Sequence, residues 1–199
     1  MSKYQICVSG AASGATVEAA HLLAFEVGKA IAISGHTLVT GATIGLPQYA
    51  AMGAKEAKGL SIGFSPAATL REHVNSYKLP TKEFDYINFT GMEYVGRDVH
   101  LVRSSDAVIT IGGRMGSLHE FSTAIESNKI CGVLLGSGGL ADFIPTLVEN
   151  IVTPNVKKII YDTSPQRIVE QVVAALNEKY ADFREDVEDE GIVKRARRG

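Results

Sequence analysis

The chain predicts an α/β domain of the Rossmann-like, doubly wound kind, with a mostly parallel sheet and helices on both faces. Three observations carry that expectation. Short runs rich in β-branched residues, such as Ala107 to Ile111, show no polar alternation and read as strands covered on both faces. Segments with apolar residues three and four apart alternate with these runs, as crossover helices do between parallel strands. Glycine-bearing turns follow three of the strands, at the edge where such sheets place ligands.

From the N-terminus, Tyr4 to Ser9 reads as a first strand, and Gly10 to Gly14 as a loop. A helix over Thr16 to Ser34 follows, with Ala19, Leu22, Leu23, Phe25, Glu26 and Val27 giving an apolar and a polar face, and Gly35 fits its C-terminal cap. His36 to Thr40 is a short strand and Gly41 to Gly45 a second glycine turn. Leu46 to Lys58 is a small-residue helix entered through Pro47, where a missing N–H costs little. Leu60 to Phe64 is a third strand. Ser65 to Thr81, with two prolines and little periodicity, reads as an irregular excursion.

Tyr86 to Phe89 then reads as a strand and Tyr94 to Ser104 as a helix. Ala107 to Ile111 is a strand, Gly112 and Gly113 permit a sharp turn, and a helix starts near Gly116 with Leu118, Phe121 and Ile125 in helical spacing. Ile130 to Leu135 and Lys158 to Tyr161 are the last strands. Leu140 to Asn150 and Pro165 to Lys179 are the last helices, the latter with Ile168, Val169, Val172, Val173 and Leu176 as its apolar stripe. One nucleotide-binding domain is expected over 1–179 and a charged tail over 180–199, where an acidic block, Arg184 to Glu190, precedes a basic end, Lys194 to Arg198.

A length of 199 residues suffices for one well-cored domain, and a formal net charge of −2 gives no reason to expect nucleic acid or an anionic membrane as partner. No apolar run approaches the roughly 18 residues that span a bilayer, and the start of the chain shows no signal peptide, so a cytoplasmic protein is expected. Cys7 and Cys131 sit in apolar runs and read as buried free thiols. His21, His36, His73 and His100 show no ligand spacing, so no metal is expected.

The turns Gly10 to Gly14, Gly41 to Gly45 and Gly112 to Gly116 should share one edge, with Ser13, Thr43 and Ser117 supplying hydroxyls for phosphate or ribose oxygens. None of them matches the dinucleotide fingerprint or a Walker loop, and no Gly-x-Ser-x-Gly elbow occurs. After the third turn, free N–H groups and the helix dipole favour a bound phosphate, and Glu120 sits one turn inside the helix. A first-turn glutamate also gains roughly 0.3–1 kcal/mol from the dipole without any chemistry.

These residues resemble the Lonely-guy family of the SLOG superfamily. That family carries Pro-Gly-Gly-x-Gly-Thr-x-x-Glu, where this chain has Ile111-Gly-Gly-Arg-Met-Gly-Ser-Leu-His-Glu120. Its Gly-Gly-Gly-x-x-Gly-Leu-Met turn is matched by Thr40-Gly-Ala-Thr-Ile-Gly-Leu-Pro47, and an upstream arginine by Arg97 in Gly96-Arg-Asp98. The resemblance runs from Ile6 to about Leu176. It departs at Ile111 for proline, at Ser117 for threonine, and at the pair Arg114-Met115, where the family has one residue.

The resemblance implies hydrolysis of the N-glycosidic bond of a nucleoside 5′-monophosphate, of the cytokinin-ribotide or AMP kind, giving free base and ribose 5-phosphate. Arg97 and Glu120 are the implied catalytic residues. Glu120 would hold ribose hydroxyls and orient or activate water, and Arg97 would contact the phosphate or the leaving base. Gly10, Ser13, Gly41, Thr43, Gly112, Gly113, Arg114, Met115, Gly116 and Ser117 are the expected nucleotide- and phosphate-binding set. No cofactor is expected, and a homodimer or larger homo-oligomer is. The alternative implied by other relatives is a protein that holds a nucleotide or a molybdopterin-like phosphate without cleaving it.

Overall fold

A computed structural model describes residues 3–151 and 159–181. Seven strands and seven helices alternate through it: β1 (Gln5–Gly10), α1 (Ala15–Ile33), β2 (Thr37–Thr40), α2 (Leu46–Glu56), β3 (Leu60–Ser65), α3 (Leu70–Asn75), β4 (Tyr86–Phe89), α4 (Glu93–Ser104), β5 (Ala107–Ile111), α5 (Met115–Glu126), β6 (Ile130–Leu134), α6 (Gly139–Ile151), β7 (Ile159–Asp162) and α7 (Pro165–Lys179). All strand pairs are parallel, in the order β4-β3-β2-β1-β5-β6-β7. The chain winds outward from β1 to β4, then returns to the other side of β1 as β5. The switch point therefore lies between β1 and β5, where Ser9 is in register with Thr110 and Gly10 with Ile111.

Alternation along the strands divides the core into two layers. Ile6, Val8, Ile109 and Ile111 pack with buried residues of α1, α2 and α7. Cys7 and Val108 pack on the opposite face, with Leu101 and Val102 of α4, Phe121 and Ala124 of α5, and Ala141 and Ile144 of α6. Because side chains in a strand point to opposite faces in turn, Ser9 lies on the side of Cys7, under α4 and α5. Both cysteines are buried free thiols. Burial pushes the Cys131 thiol up to about 12 and raises that of Cys7 well above its ordinary value.

Two expectations are corrected. Ser65 to Thr81 is not wholly irregular, because it holds α3. Thr69 caps this helix by accepting from the Glu72 N–H at 3.2 Å. The fully buried His73 anchors it, with Nδ1 2.8 Å from Ser65 Oγ and Nε2 2.9 Å from the Pro80 carbonyl. In α1, Ala19 and Leu22 face outward, and the buried stripe is Ala20, Ala24, Val27, Gly28 and Ile31. Small residues win these positions because α1 packs closely along α2. Gly35 lies just past the end of α1 with φ of 79°, where the left-handed conformation favours glycine. Lys158, the expected start of the last strand, and 182–199 of the charged tail fall outside the described residues. Tyr180 stacks on Tyr4, with ring centroids 6.1 Å apart.

Candidate functional site

A cavity of about 230 Å³ opens over the carboxyl ends of β1 and β5. Its wall draws on all three glycine turns and three helices: Gly10, Ala11 and Ala12 after β1; Gly41 and Thr43 after β2, with Pro47 at the start of α2; Tyr94, Arg97 and Asp98 on α4; and Arg114, Gly116 and Ser117 at the start of α5, with Glu120 beyond its first turn rather than in it. The three turns do share one edge, as the parallel topology requires.

The α5 side presents unpaired donors and positive charge to the cavity. The helix has no side-chain cap, and Arg114 in its cap position is extended. Among the described residues, the N–H groups of 113–117 find no acceptor, whereas Leu118 N–H closes the first helical bond onto Arg114 O at 2.9 Å. Open N–H groups and the helix dipole attract negative charge. The Arg114 guanidinium adds a full positive charge, held by a 2.9 Å bond from Nη2 to Ser13 Oγ.

Of the expected set, Gly10, Gly41, Thr43, Arg114, Gly116 and Ser117 line the cavity together with Arg97 and Glu120. Ser13, Gly112, Gly113 and Met115 do not. Gly112 is spent on packing instead: its N–H donates to Ser137 Oγ at 2.8 Å and its carbonyl accepts from Ala141 N–H at 2.8 Å. The Gly113 carbonyl likewise accepts from Leu140 N–H at 3.1 Å. Met115 turns to solvent, 77% exposed. Ser13 reaches the cavity only through Arg114.

Glu120 is 7% exposed, and its Oε2 accepts a hydrogen bond from Ser9 Oγ. Burial, and then the negative charge of Asp98, raise its pKa to about 7. Arg97, the Ser9 hydroxyl and His119 pull the other way. Oε1 has no partner among the described residues.

Arg97 is buried, not a surface cation. Its Nε donates to Asp98 Oδ1 at 2.9 Å, and its Nη1 donates to the carbonyl oxygens of Gly41 and of Phe64, the latter at 2.8 Å. Nη2 has no acceptor among the described residues. The ring of Tyr94 lies 5.7 Å from the guanidinium carbon and forms part of the cavity wall. His119, about one-third exposed, places Nδ1 3.1 Å from Asp98 Oδ2.

Sequence reasoning missed Ser9, Ala11, Ala12 and Pro47 as site residues, and gave Asp98 no role. Ser9 was legible in principle: as the last polar residue of a buried strand at the switch point, it needs a partner. No described cluster of three or more histidine, cysteine or acidic residues has metal-binding geometry.

A cavity at the switch point of a doubly wound sheet, with a helix N-terminus on one wall, lies where Rossmann-like folds take their ligands. The chain belongs to the SLOG cluster4 family, whose model matches residues 3–169. A protein of Archaeoglobus fulgidus is 33% identical over 129 residues, covering 65% of this chain and 78% of that one. Among solved structures, the molybdenum cofactor binding protein from Rippkaea orientalis superposes with a TM-score of 0.69 at 26% identity, covering 88% of this chain and 99% of that one. The structural-genomics target TM1055 superposes with a TM-score of 0.73 at 22% identity, covering 84% and 99%. Among the described residues, no helix is long and apolar enough to cross a membrane.

Proposed function

We propose that this protein binds the phosphate ester of a small heterocycle, a nucleoside monophosphate or a molybdopterin-type phosphate, and holds it without cleavage. The observation that carries the reading is the set of unpaired N–H groups at the start of α5, with Arg114, Gly116 and Ser117 lining the same cavity as Arg97 and Glu120 and the Arg114 guanidinium beside them. Phosphate on the N–H groups would leave the heterocycle toward Tyr94. The likeness to the Rippkaea orientalis protein, which binds molybdenum cofactor, supports a held ligand. So does the bonding of Arg97, whose Nε and Nη1 are spent on Asp98 and two carbonyls.

One observation favours hydrolysis as a second reading. A buried carboxyl with a pKa of about 7 and one free oxygen is suited to activating water. Water would add across the N-glycosidic bond, its oxygen to the sugar C1′ and one proton to the departing base. Isothermal titration with AMP, GMP and molybdopterin, followed by chromatography of each mixture, separates the two. Saturable binding that needs the phosphate, with no free base released, is the expected result. Base release that vanishes in Glu120→Gln establishes the hydrolase instead. Light scattering on the same samples tests the homodimer that the family resemblance implies.

A further inference from the structure

We propose that Asp98 is a positioning residue for this cavity: its carboxylate fastens the helix carrying Arg97 to the helix carrying Glu120 and sets how those two groups meet a ligand. The ligand half of this proposal rests on the reading of the cavity given above.

The geometry is unusual for neighbours in a helix. Adjacent residues lie about 100° apart around the axis and do not ordinarily face each other. Here Asp98 Oδ1 nevertheless accepts from the Nε of Arg97, the preceding residue, at 2.9 Å, with both side chains buried. Its other oxygen, Oδ2, reaches across to α5 and meets His119 Nδ1 at 3.1 Å. Both carboxylate oxygens are therefore engaged, one on each helix. His119 is the residue just before Glu120, so the link ends at the backbone of the cavity carboxyl.

Arg97 is directed in turn. With Nε on Asp98 and Nη1 on the carbonyls of Gly41 and Phe64, the plane of the guanidinium is fixed and Nη2 is the donor left over. A guanidinium presents its donors in a rigid fork, so fixing two nitrogens fixes the third. Removing Asp98 frees that plane.

Asp98 acts on Glu120 through charge as well as position. The groups facing Glu120 are Ser9 and Cys7 on β1, Arg97 and Asp98 on α4, and His119 on α5. Asp98 is the largest charge contribution holding the Glu120 proton on, and His119 opposes it. Asp98 and the partners on its two oxygens, Arg97 and His119, therefore push the Glu120 proton in opposite directions, which a purely structural tie would not.

The test is carboxyl-carbon NMR titration of Glu120 in the protein alone, in the wild type, Asp98→Asn and His119→Gln, paired with AMP affinity measured across pH. Asp98→Asn keeps the shape and an acceptor for Nε but removes the charge. The Glu120 midpoint is expected to fall by roughly one pH unit, the scale of one nearby charge, and the pH dependence of AMP affinity to move with it. His119→Gln, at a partly exposed position, is expected to shift the midpoint upward, and it keeps the proposal testable if Asp98→Asn does not fold. Midpoints unchanged in the folded variants overturn the positioning role. Midpoints that shift as expected while AMP fails to bind the wild type leave the positioning role standing and remove the nucleotide reading.

Discussion

The guanidinium of Arg97 lies directly on the backbone of Gly41, 56 residues earlier in the chain, and donates to its carbonyl oxygen. The three atoms nearest to a β-carbon built at Gly41 all belong to that guanidinium. Glycine after β2 is therefore required by the arginine. Gly41→Ala is expected to drive the guanidinium out of its place and strand the buried Asp98 carboxylate. A cost of about 1–3 kcal/mol follows from the overlap, with a loss of nucleotide affinity of at least tenfold. Denaturant unfolding and titration calorimetry on the variant check both; a variant of unchanged stability and affinity would show that Arg97 has another place to go.

Glu120 makes stability depend on pH in a direction opposite to most carboxylates. Its pKa rises from an ordinary value of 4.5 to about 7 in the folded protein, so between those values the native state binds more protons than the unfolded one. Stability linked to this group is present in full below about 4.5 and is lost as pH rises through 7. The full span corresponds to roughly 3 kcal/mol at one pKa unit per 1.36 kcal/mol. Glu120→Gln removes the ionisation, so the variant should melt several degrees above the wild type at pH 8 and close to it at pH 5. Calorimetric scans at the two pH values decide this, and equal melting at pH 8 would falsify the buried, proton-holding carboxyl.

How much of this was legible in the chain depends on whether a feature is local. The parallel sheet and the shared edge of the three turns follow from apolar runs and glycine placement, and both are present. The short helix α3 also left a local trace, since Thr69-Leu-Arg-Glu72 has the spacing of an N-terminal capping box. Two prolines nearby obscured it. The bonds that define the site have no local trace. Ser9 and Glu120 are 111 residues apart, and Arg97 meets Phe64 across 33. Arginine in a helical pattern reads as a surface cation until the fold encloses it. The choice among Gly112, Gly113 and Ser117 as cavity residues was equally hidden, because it depends on Ser137 and α6 claiming the first two.

Arg114 occupies the place where the resembling family has one residue fewer, and its reach to Ser13 ties the β1 turn to the β5 turn. If it serves the ligand's phosphate, Arg114→Ala should weaken AMP binding about tenfold, the loss of one charge-assisted contact. Adenosine binding should not change. The wild-type affinity should also fall more steeply with salt than that of the variant, since the side chain is exposed and screened. Titrations at two salt concentrations provide the comparison; equal losses for AMP and adenosine would assign Arg114 to the fold instead.

Helices α1 and α2 meet through two glycines that a propensity argument would replace. A β-carbon added to Gly28 would collide with the backbone of Ala50, and one added to Gly53 with the backbone of Phe25. In an exposed helix interior, glycine to alanine stabilises by up to about 1 kcal/mol. Here the obstruction is backbone on the facing helix, which cannot rotate aside as a side chain does. The helices must separate, and that opens the layer containing Ala24, Val27 and Ala50. Gly28→Ala and Gly53→Ala are therefore each expected to destabilise by about 1–3 kcal/mol, as overpacking does. The double variant should cost less than the sum, because one separation relieves both collisions. Chemical denaturation of the two single variants and the double variant measures this directly. Two independent, additive losses would mean that each glycine is accommodated by its own local shift and that the helix pair does not move as a unit.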